Sequence, residues 1–245
     1  AIWLVQLLRD PDQRDCFSSQ PSPQARNHPA PRFIPLGAQT LDRRERWSAA
    51  VTATLVFTAA AVVMTWPYVA NATSATAVGF DPFLQIWLSE WIQHALATDP
   101  RGLFAANMFY PFSQSLAYTD ANVPGALLAL PIRAVTGDPI LTNSILVLAS
   151  FVAAALGTFL LVRYVTGNQA VSLVAGLAYA FLPYRMIHLW HLNWLEGALV
   201  PWFILALLRM IDRPSVSRAL IAGVLAAIIT LISFYFAPQL ALIAI

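Results

Sequence analysis

Six polar side chains in this apolar chain are of types that can carry acid–base or phosphate chemistry. Asp81 follows the first long charge-free stretch, and its carboxylate can accept a proton from a hydroxyl group. The others, in chain order, are Asp120, Arg185, His188, His191 and Glu196. Ionisable residues beside or within membrane segments are functional candidates, because a buried charge is costly there.

The spacing of Arg185, His188 and His191 places their side chains on one side of a helix, since residues three apart are neighbours on a helix surface. Three such donors suit a phosphate or pyrophosphate group. Two histidines with a carboxylate suit a metal ion instead. A third interpretation is that these side chains reach the membrane interface, with Trp190 and Trp194 as interfacial aromatic residues.

The acidic candidates also have structural alternatives. Asp81 precedes Pro82, which is a favourable helix start, so its carboxylate could cap a helix over 82–97. Asp120, in AYTDAN (117–122), suits either a site or an Asx turn. Glu196 lies near the start of a predicted span, where it either faces a site or is solvated at the headgroup level.

The elements that must position these residues are membrane helices. Hydrophobic residues make up 58% of the 245 residues and charged residues only 11%, whereas soluble domains have about 25% charged residues. A spanning helix needs roughly 20 apolar residues, and four charge-free runs meet this length. They are 49–80, Pro139–Val162, Tyr164–Tyr184 and Ala219–Ile245. The fold class predicted is all-α, a polytopic transmembrane helix bundle.

We divide the chain into two parts. Residues 1–46 are polar and proline-rich, which predicts a disordered cytoplasmic N-terminal segment. Residues 47–245 form the predicted transmembrane domain, with about five complete spans and the start of a sixth near Gln239. The predicted spans are 48–66, 139–162, 168–184, 194–210 and 217–236. We expect a missing C-terminal part of the same protein beyond Ile245.

The arginines predict the orientation. Arg43, Arg44 and Arg46 precede the first span and place the N-terminus in the cytoplasm by the positive-inside rule. The large loop 67–138 is then extracytoplasmic, provided that Val123–Val135 lies on the surface; its roughly 12 apolar residues are too few to cross. Of the arginines from residue 43 onward, this assignment leaves seven inside and three outside. The arginines form no stripe, so we expect no nucleic-acid partner.

The extracytoplasmic loop is predicted to carry amphipathic juxtamembrane helices. Over 82–97 an apolar face, which includes Trp87 and Trp91, alternates with a polar face that includes Gln85 and Ser89. Tryptophans on the apolar face suit a helix lying in the interface plane.

The order of these features resembles the N-terminal half of the C-type membrane glycosyltransferase superfamily (GT-C), which includes protein mannosyltransferases and aminoarabinose transferases. The resemblance covers about 47–245. The segments that carry it are GFDP (79–82), LFAANMFYP (103–111), TGDP (136–139), LLVRYVTGN (160–168) and AFLPYRMIHLWHLNWLEG (180–197). Gly79 and Phe80 stand where many members have a second acid beside the one matching Asp81.

The resemblance implies an integral membrane glycosyltransferase that moves a sugar from a polyprenyl-phosphate donor to a hydroxyl acceptor at the extracytoplasmic face. Asp81 matches the family's catalytic carboxylate. The other five candidates would bind the substrates, and a divalent metal is a possible cofactor. The expected partners are the lipid-linked donor and membrane lipids. The expected location is a bacterial inner (plasma) membrane, and the fragment is expected to be inactive alone.

Two other functions fit a chain of this kind. A transporter or flippase of lipid-linked saccharide would place its polar residues near the middle of the membrane and often contains internal repeats. A non-catalytic membrane subunit would leave Asp81, Arg185 and His188 far apart or facing lipid. The distances between the candidate side chains distinguish these possibilities.

Overall fold

The chain folds into helices, with no strand among the residues that its computed structural model describes, namely 43–77, 79–192 and 196–244. The α-helices are α1 (Arg43–Met64), α2 (Asp81–Thr98), α3 (Val123–Thr136), α4 (Pro139–Thr166), α5 (Gln169–Ala180), α6 (Pro183–Ile187), α7 (Val200–Asp212), α8 (Val216–Ile232) and α9 (Phe236–Ala244). Short 3₁₀ turns lie at Val69–Asn71, Pro100–Gly102, Ser115–Tyr118 and Glu196–Leu199. The predicted disordered segment falls outside this description up to residue 42, whereas 43–46 form the first turn of α1.

Three helical stretches within the described residues are long and apolar enough to cross a membrane: Trp47–Met64, Pro139–Thr166 and Gln169–Ile187. They correspond to the predicted spans 48–66, 139–162 and 168–184. The helices in the regions of the other two predicted spans are shorter, because α7 has 13 residues and α8 has 17, against the roughly 20 that a crossing needs. Those two spans stay predictions.

Helix α1 packs through small residues and presents large ones outward. Ala49, Ala53, Phe57 and Ala61 recur every four residues and are buried, while the outward side holds the exposed apolar residues Val51, Leu55, Val62 and Val63. A helix surface made of large apolar side chains suits lipid, and small residues at the contact let helix backbones approach closely. The apolar surface of α1 is therefore arranged as in a membrane bundle.

The long helices run antiparallel, which brings distant segments to the same end of the bundle. The Tyr68 hydroxyl, just after α1, lies 3.0 Å from the Ser144 hydroxyl near the start of α4. A buried cluster joins Ala61, Val147, Phe151 and Leu192. We call this end, where residues 65–68, 139–147 and 188–192 meet, the site end.

The opposite end of the bundle is rich in arginine. The hydroxyl of Tyr164, in the last turn of α4, donates to the carboxylate of Asp212 at the end of α7. The turn 213–215 then leads into α8, which returns to the site end. We call the end formed by residues 163–168 and 209–218 the arginine end.

Helix α2 was predicted to lie in the membrane interface, but other parts of the chain cover its apolar face. Trp87 and Trp91 stack with ring centroids 6.0 Å apart, and the Trp91 Nε1–H donates to the Leu103 carbonyl at 3.0 Å. The chain's own residues 103–126 pack over this apolar face. Gln85, predicted on the polar face, is buried, because α2 is also covered from the α4 side.

Helix α3 is short, as predicted for a segment that does not cross. Its inward side is small, with Gly125, Ala126 and Ala129 buried. The guanidinium of Arg133 forms an ion pair with Glu90 on α2, with Nε 2.8 Å from Oε1. This ion pair and the small residues hold α3 against α2 at the site end.

Candidate functional site

The carboxylate of Asp81 and the imidazole of His191 are in direct contact at the site end. Asp81 Oδ2 lies 2.5 Å from His191 Nε2. The Asp81 side chain is 36% exposed and the His191 side chain 17% exposed. A carboxylate held by a partly buried imidazole and still open to solvent on one side is able to exchange protons with a bound molecule.

Asp81 is the first residue of α2, so the helix begins one residue earlier than the sequence suggested. Phe80 occupies the capping position and makes no side-chain capping bond, while Pro82 follows within the first turn. The interpretation of Asp81 as the residue before the helix was therefore wrong by one position. At the N-terminal turn its negative charge is stabilised by the helix dipole.

Three hydrogen bonds hold the turn that carries His191. The His188 Nδ1–H donates to the Tyr184 carbonyl at 2.6 Å, and the Trp190 Nε1–H donates to the Ile187 carbonyl at 2.7 Å. The backbone N–H of His191 donates to the His188 carbonyl at 2.9 Å. These bonds tie the turn to α6, so His191 is presented to the start of α2 by a fixed backbone.

Gly79 allows the two segments to meet. Its φ is +134°, and a Cβ added there would lie 3.0 Å from Cε3 of the Trp190 indole. That φ lies where only glycine is comfortable. The indole of Trp190 also packs on the His191 ring, with centroids 3.8 Å apart. Sequence reasoning quoted Gly79 within GFDP but did not predict that this position requires a glycine.

His191 is neutral at neutral pH. Burial lowers the pKa of His191 from its ordinary value, the Asp81 carboxylate raises it by a smaller amount, and His188 lowers it further. The short contact with Asp81 is therefore a hydrogen bond in which the neutral imidazole donates its Nε2–H to the carboxylate. Asp81 keeps its other oxygen, Oδ1, to accept a further proton.

This electrostatic balance predicts that acid weakens the folded state through His191. The unfolded imidazole has a pKa of about 6.5, and the folded value is lower, so below pH 6.5 the unfolded chain binds more protons. The stability that His191 contributes is complete above about pH 6.5 and is lost as the pH falls through the folded pKa. We expect the melting temperature of the full chain in detergent to drop between pH 7.5 and 5.5.

The matched variant for this measurement is His191→Gln, whose amide can still donate to Asp81 but does not titrate. It is expected to show a flatter melting temperature over the same pH range. An increase in wild-type stability on acidification would contradict the prediction, because it would mean that an ion pair with Asp81 outweighs burial.

A small cavity with both polar and apolar lining residues lies between α2, α3 and α4. Gln85 lies one helical turn after Asp81 and lines this cavity together with Asn143 of α4, Asn122 and Leu192. Gln85, Asn122 and Asn143 are buried. The cavity volume is about 20 Å³, enough for one water molecule. The predicted polar face of α2 thus lines part of the interior, a placement that helical periodicity alone could not assign.

Arg185 is placed within the helix packing. It is only 6% exposed, its Nε–H donates to the Ala180 carbonyl at 3.2 Å, and an Nη2–H donates to the Ser150 carbonyl at 3.4 Å. The guanidinium also lies 5.3 Å from the centroid of the Phe151 ring. These contacts join the end of α5 to α4, so at least part of its role is structural. Its predicted binding of donor phosphate stays a prediction.

The remaining candidates are distributed around the site end. His188 lies beside His191, with ring centroids 5.6 Å apart. Asp120 accepts from the Ser233 hydroxyl at 3.0 Å and from the Phe234 N–H at 3.4 Å. These two bonds link the segment between α2 and α3 to the α8–α9 junction. Glu196 begins a 3₁₀ turn, and its side chain lies outside the described atoms. The substrate-binding roles of all three stay predictions.

Within residues 43–77, 79–192 and 196–244, no group of three or more His, Cys, Asp or Glu side chains is arranged to hold a metal ion. A divalent metal at this site stays a prediction.

Comparison with protein-family models, with curated proteins and with solved structures finds no match to this chain.

Proposed function

We propose that the chain is part of an integral membrane glycosyltransferase that transfers a sugar from a polyprenyl-phosphate donor to a hydroxyl acceptor. The observation that supports this most is the contact between Asp81 Oδ2 and His191 Nε2 at one end of the apolar helices. The accessible carboxylate of Asp81 is held by the neutral imidazole of His191 at the end of the apolar helices, where a lipid-linked substrate would reach the protein. The resemblance of the segment order to GT-C enzymes supports the choice of substrate.

In the proposed reaction Asp81 acts as general base. Its Oδ1 takes the proton of the acceptor hydroxyl while the acceptor oxygen attacks the anomeric carbon of the donor sugar. The bond between that carbon and the phosphate oxygen breaks, and the polyprenyl phosphate leaves with the electron pair. Direct displacement of this kind inverts the anomeric configuration.

His191 has a positioning role in this proposal. Its Nε2–H fixes one carboxylate oxygen of Asp81 and leaves the other directed to the acceptor. His188 is the candidate to contact the donor phosphate, because charged or polar donors near a leaving phosphate stabilise its developing charge. The one N–H of the neutral His191 is already donated to Asp81. The exposed Phe80, beside Asp81, offers an apolar surface at the same edge of the site.

The proposed orientation places the site end outside the cytoplasm and the arginine end inside it. The arginines in the first turn of α1, in the last turn of α4 and around the α7–α8 turn support this by the positive-inside rule. The proposed location is a bacterial inner membrane with the N-terminus in the cytoplasm.

The test of the function is mass spectrometry of glycans and lipid-linked sugars after deletion of the intact gene. A transferase is expected to leave one glycan without its sugar, while the lipid-linked donor accumulates on the extracytoplasmic side. Accumulation confined to the cytoplasmic side would instead indicate a flippase, and unchanged glycans would contradict both.

A further inference from the structure

A second feature of the molecule, at the arginine end, combines an apolar groove with a cluster of positive charge. The groove has a volume of about 410 Å³ and lies between α7, α8 and α9. Its walls include Phe203 and Met210 of α7, Gly223 of α8 and Leu240 of α9. Its lining includes neither Asp81 nor His191.

The length of the groove fits one leaflet of a bilayer. Along α8 it is lined from Ala219 to Thr230, which at 1.5 Å per residue is about 17 Å. The hydrocarbon core of a membrane is roughly 30 Å thick, so one leaflet is about 15 Å. A single acyl chain lying against α8 would therefore be covered along most of its length.

The mouth of the groove is positively charged. Met210 and Ala219 line the end of the groove nearest the turn between α7 and α8. Arg209 near the end of α7, Arg213 in the turn and Arg218 in the first turn of α8 lie at this end. Arg209 and Arg218 lie close enough for their charges to repel one another. An anion held at Arg218 relieves this repulsion.

The one acid in this connector is already engaged. The carboxylate of Asp212 accepts from the Tyr164 hydroxyl, while the guanidinium of Arg209 lies over the Tyr164 ring, 5.5 Å from its centroid. Arg213 is exposed in the turn, and an Nη1–H of Arg218 donates to the Arg213 carbonyl. The positive charge at the mouth therefore exceeds the negative charge beside it.

We propose that this groove binds an anionic phospholipid, with the phosphate headgroup at Arg213 and Arg218 and an acyl chain along Gly223 and Leu240. Basic pockets between apolar helices recognise anionic headgroups by this combination of charge and apolar contact. The site is independent of the proposed sugar transfer, since it involves none of the same residues.

The test uses the full chain in bilayer nanodiscs that contain equal amounts of phosphatidylglycerol and phosphatidylcholine. The protein is extracted gently, and the retained lipids are measured by native mass spectrometry. We expect phosphatidylglycerol to be enriched over phosphatidylcholine. Arg213→Gln and Arg218→Gln should each reduce that enrichment by about fivefold, because each arginine near an anionic headgroup contributes about this factor.

A second variant tests the groove without changing charge. A Cβ added at Gly223 meets no atom within 4 Å, and Gly223 lines the groove, so Gly223→Leu places an apolar side chain in the space that the acyl chain would occupy. It should reduce the retained lipid whatever its headgroup. Matched controls are Val224→Leu, which adds bulk at an exposed α8 position outside the groove, and Arg101→Gln, which removes a charge from the outer loop; both should retain lipid as the wild type does.

Three results would overturn the proposal. One is equal retention of the two phospholipids by the wild type. Another is enrichment that survives removal of both arginines. The third is a dimer that Gly223→Leu dissociates, because a second copy of the chain would then occupy the groove in place of lipid.

Discussion

Replacing Asp81 with Asn in the intact protein is expected to lower sugar transfer by about 10²–10⁴-fold, the usual effect of removing a general base. The amide is nearly the same size as the carboxylate, and its oxygen can still accept the Nε2–H of His191. The local fold is therefore retained while the proton acceptor is lost. The measurement is transfer from a synthetic polyprenyl-phosphate sugar, with melting temperature as the check on folding.

Asp99→Asn is the matched control for that experiment. Asp99 is an exposed acid in the turn after α2, where its carboxylate accepts from the Arg101 N–H at 3.2 Å, and its replacement should leave transfer unchanged. If the Asp81 variant retained full activity while folded, the assignment of the base would be wrong. If both variants lost activity equally, the effect would reflect the charge of the outer loop in general.

Replacing Gly176 with Ala is expected to destabilise the bundle by about 1–3 kcal/mol, as overpacking of a tight core does. Gly176 lies where α1, α4 and α5 meet. A Cβ there would be 2.7 Å from the Ala155 carbonyl oxygen and 2.7 Å from Cζ of Phe57. The carbonyl belongs to the backbone of α4 and cannot move without shifting that helix, and Phe57 is fully buried.

The control for this prediction is Gly223→Ala, made in the same apolar context but with open space around the added carbon. Alanine is preferred to glycine in a helix by about 1 kcal/mol, so this change should leave the stability equal or higher. The measurement is thermal unfolding of both variants in the same detergent. A Gly176→Ala protein as stable as the wild type would contradict the close three-helix contact.

Much of the helical framework could be predicted from the charge-free runs and from the residues that begin and end helices. The charge-free runs correctly located the long helix α4 and the α5–α6 segment, because polar residues between the runs mark where one helix ends and the next begins. Asp138 stands directly before the proline that begins α4, a favourable capping position, and its carboxylate accepts from the Ile140 and Leu141 N–H groups. The packing face of α1 could not be read in the same way, because apolar residues surround the helix and only the four-residue spacing of its alanines marks the contact.

The candidate site was predictable in part. Placing Asp81 and the 185–191 segment at the same end followed from the assignment of Val123–Val135 as a non-spanning helix, and the structure brings Asp81 and His191 into contact. The helical spacing of Arg185, His188 and His191 misled in one respect, because α6 ends at Ile187 and the chain turns. Arg185 therefore points into the α4–α5 packing, whereas His191 points to α2.

The two hydrogen bonds that Asp120 accepts from Ser233 and Phe234 have a consequence for biosynthesis. Asp120 and Ser233 are separated by 113 positions, and translation at roughly 5–20 residues per second takes about 6–20 seconds to cover that interval. During this period the newly made segment that contains Asp120 cannot form its hydrogen bonds to Ser233 and Phe234. Assembly of this end of the protein is therefore completed only after the junction between α8 and α9 has left the ribosome.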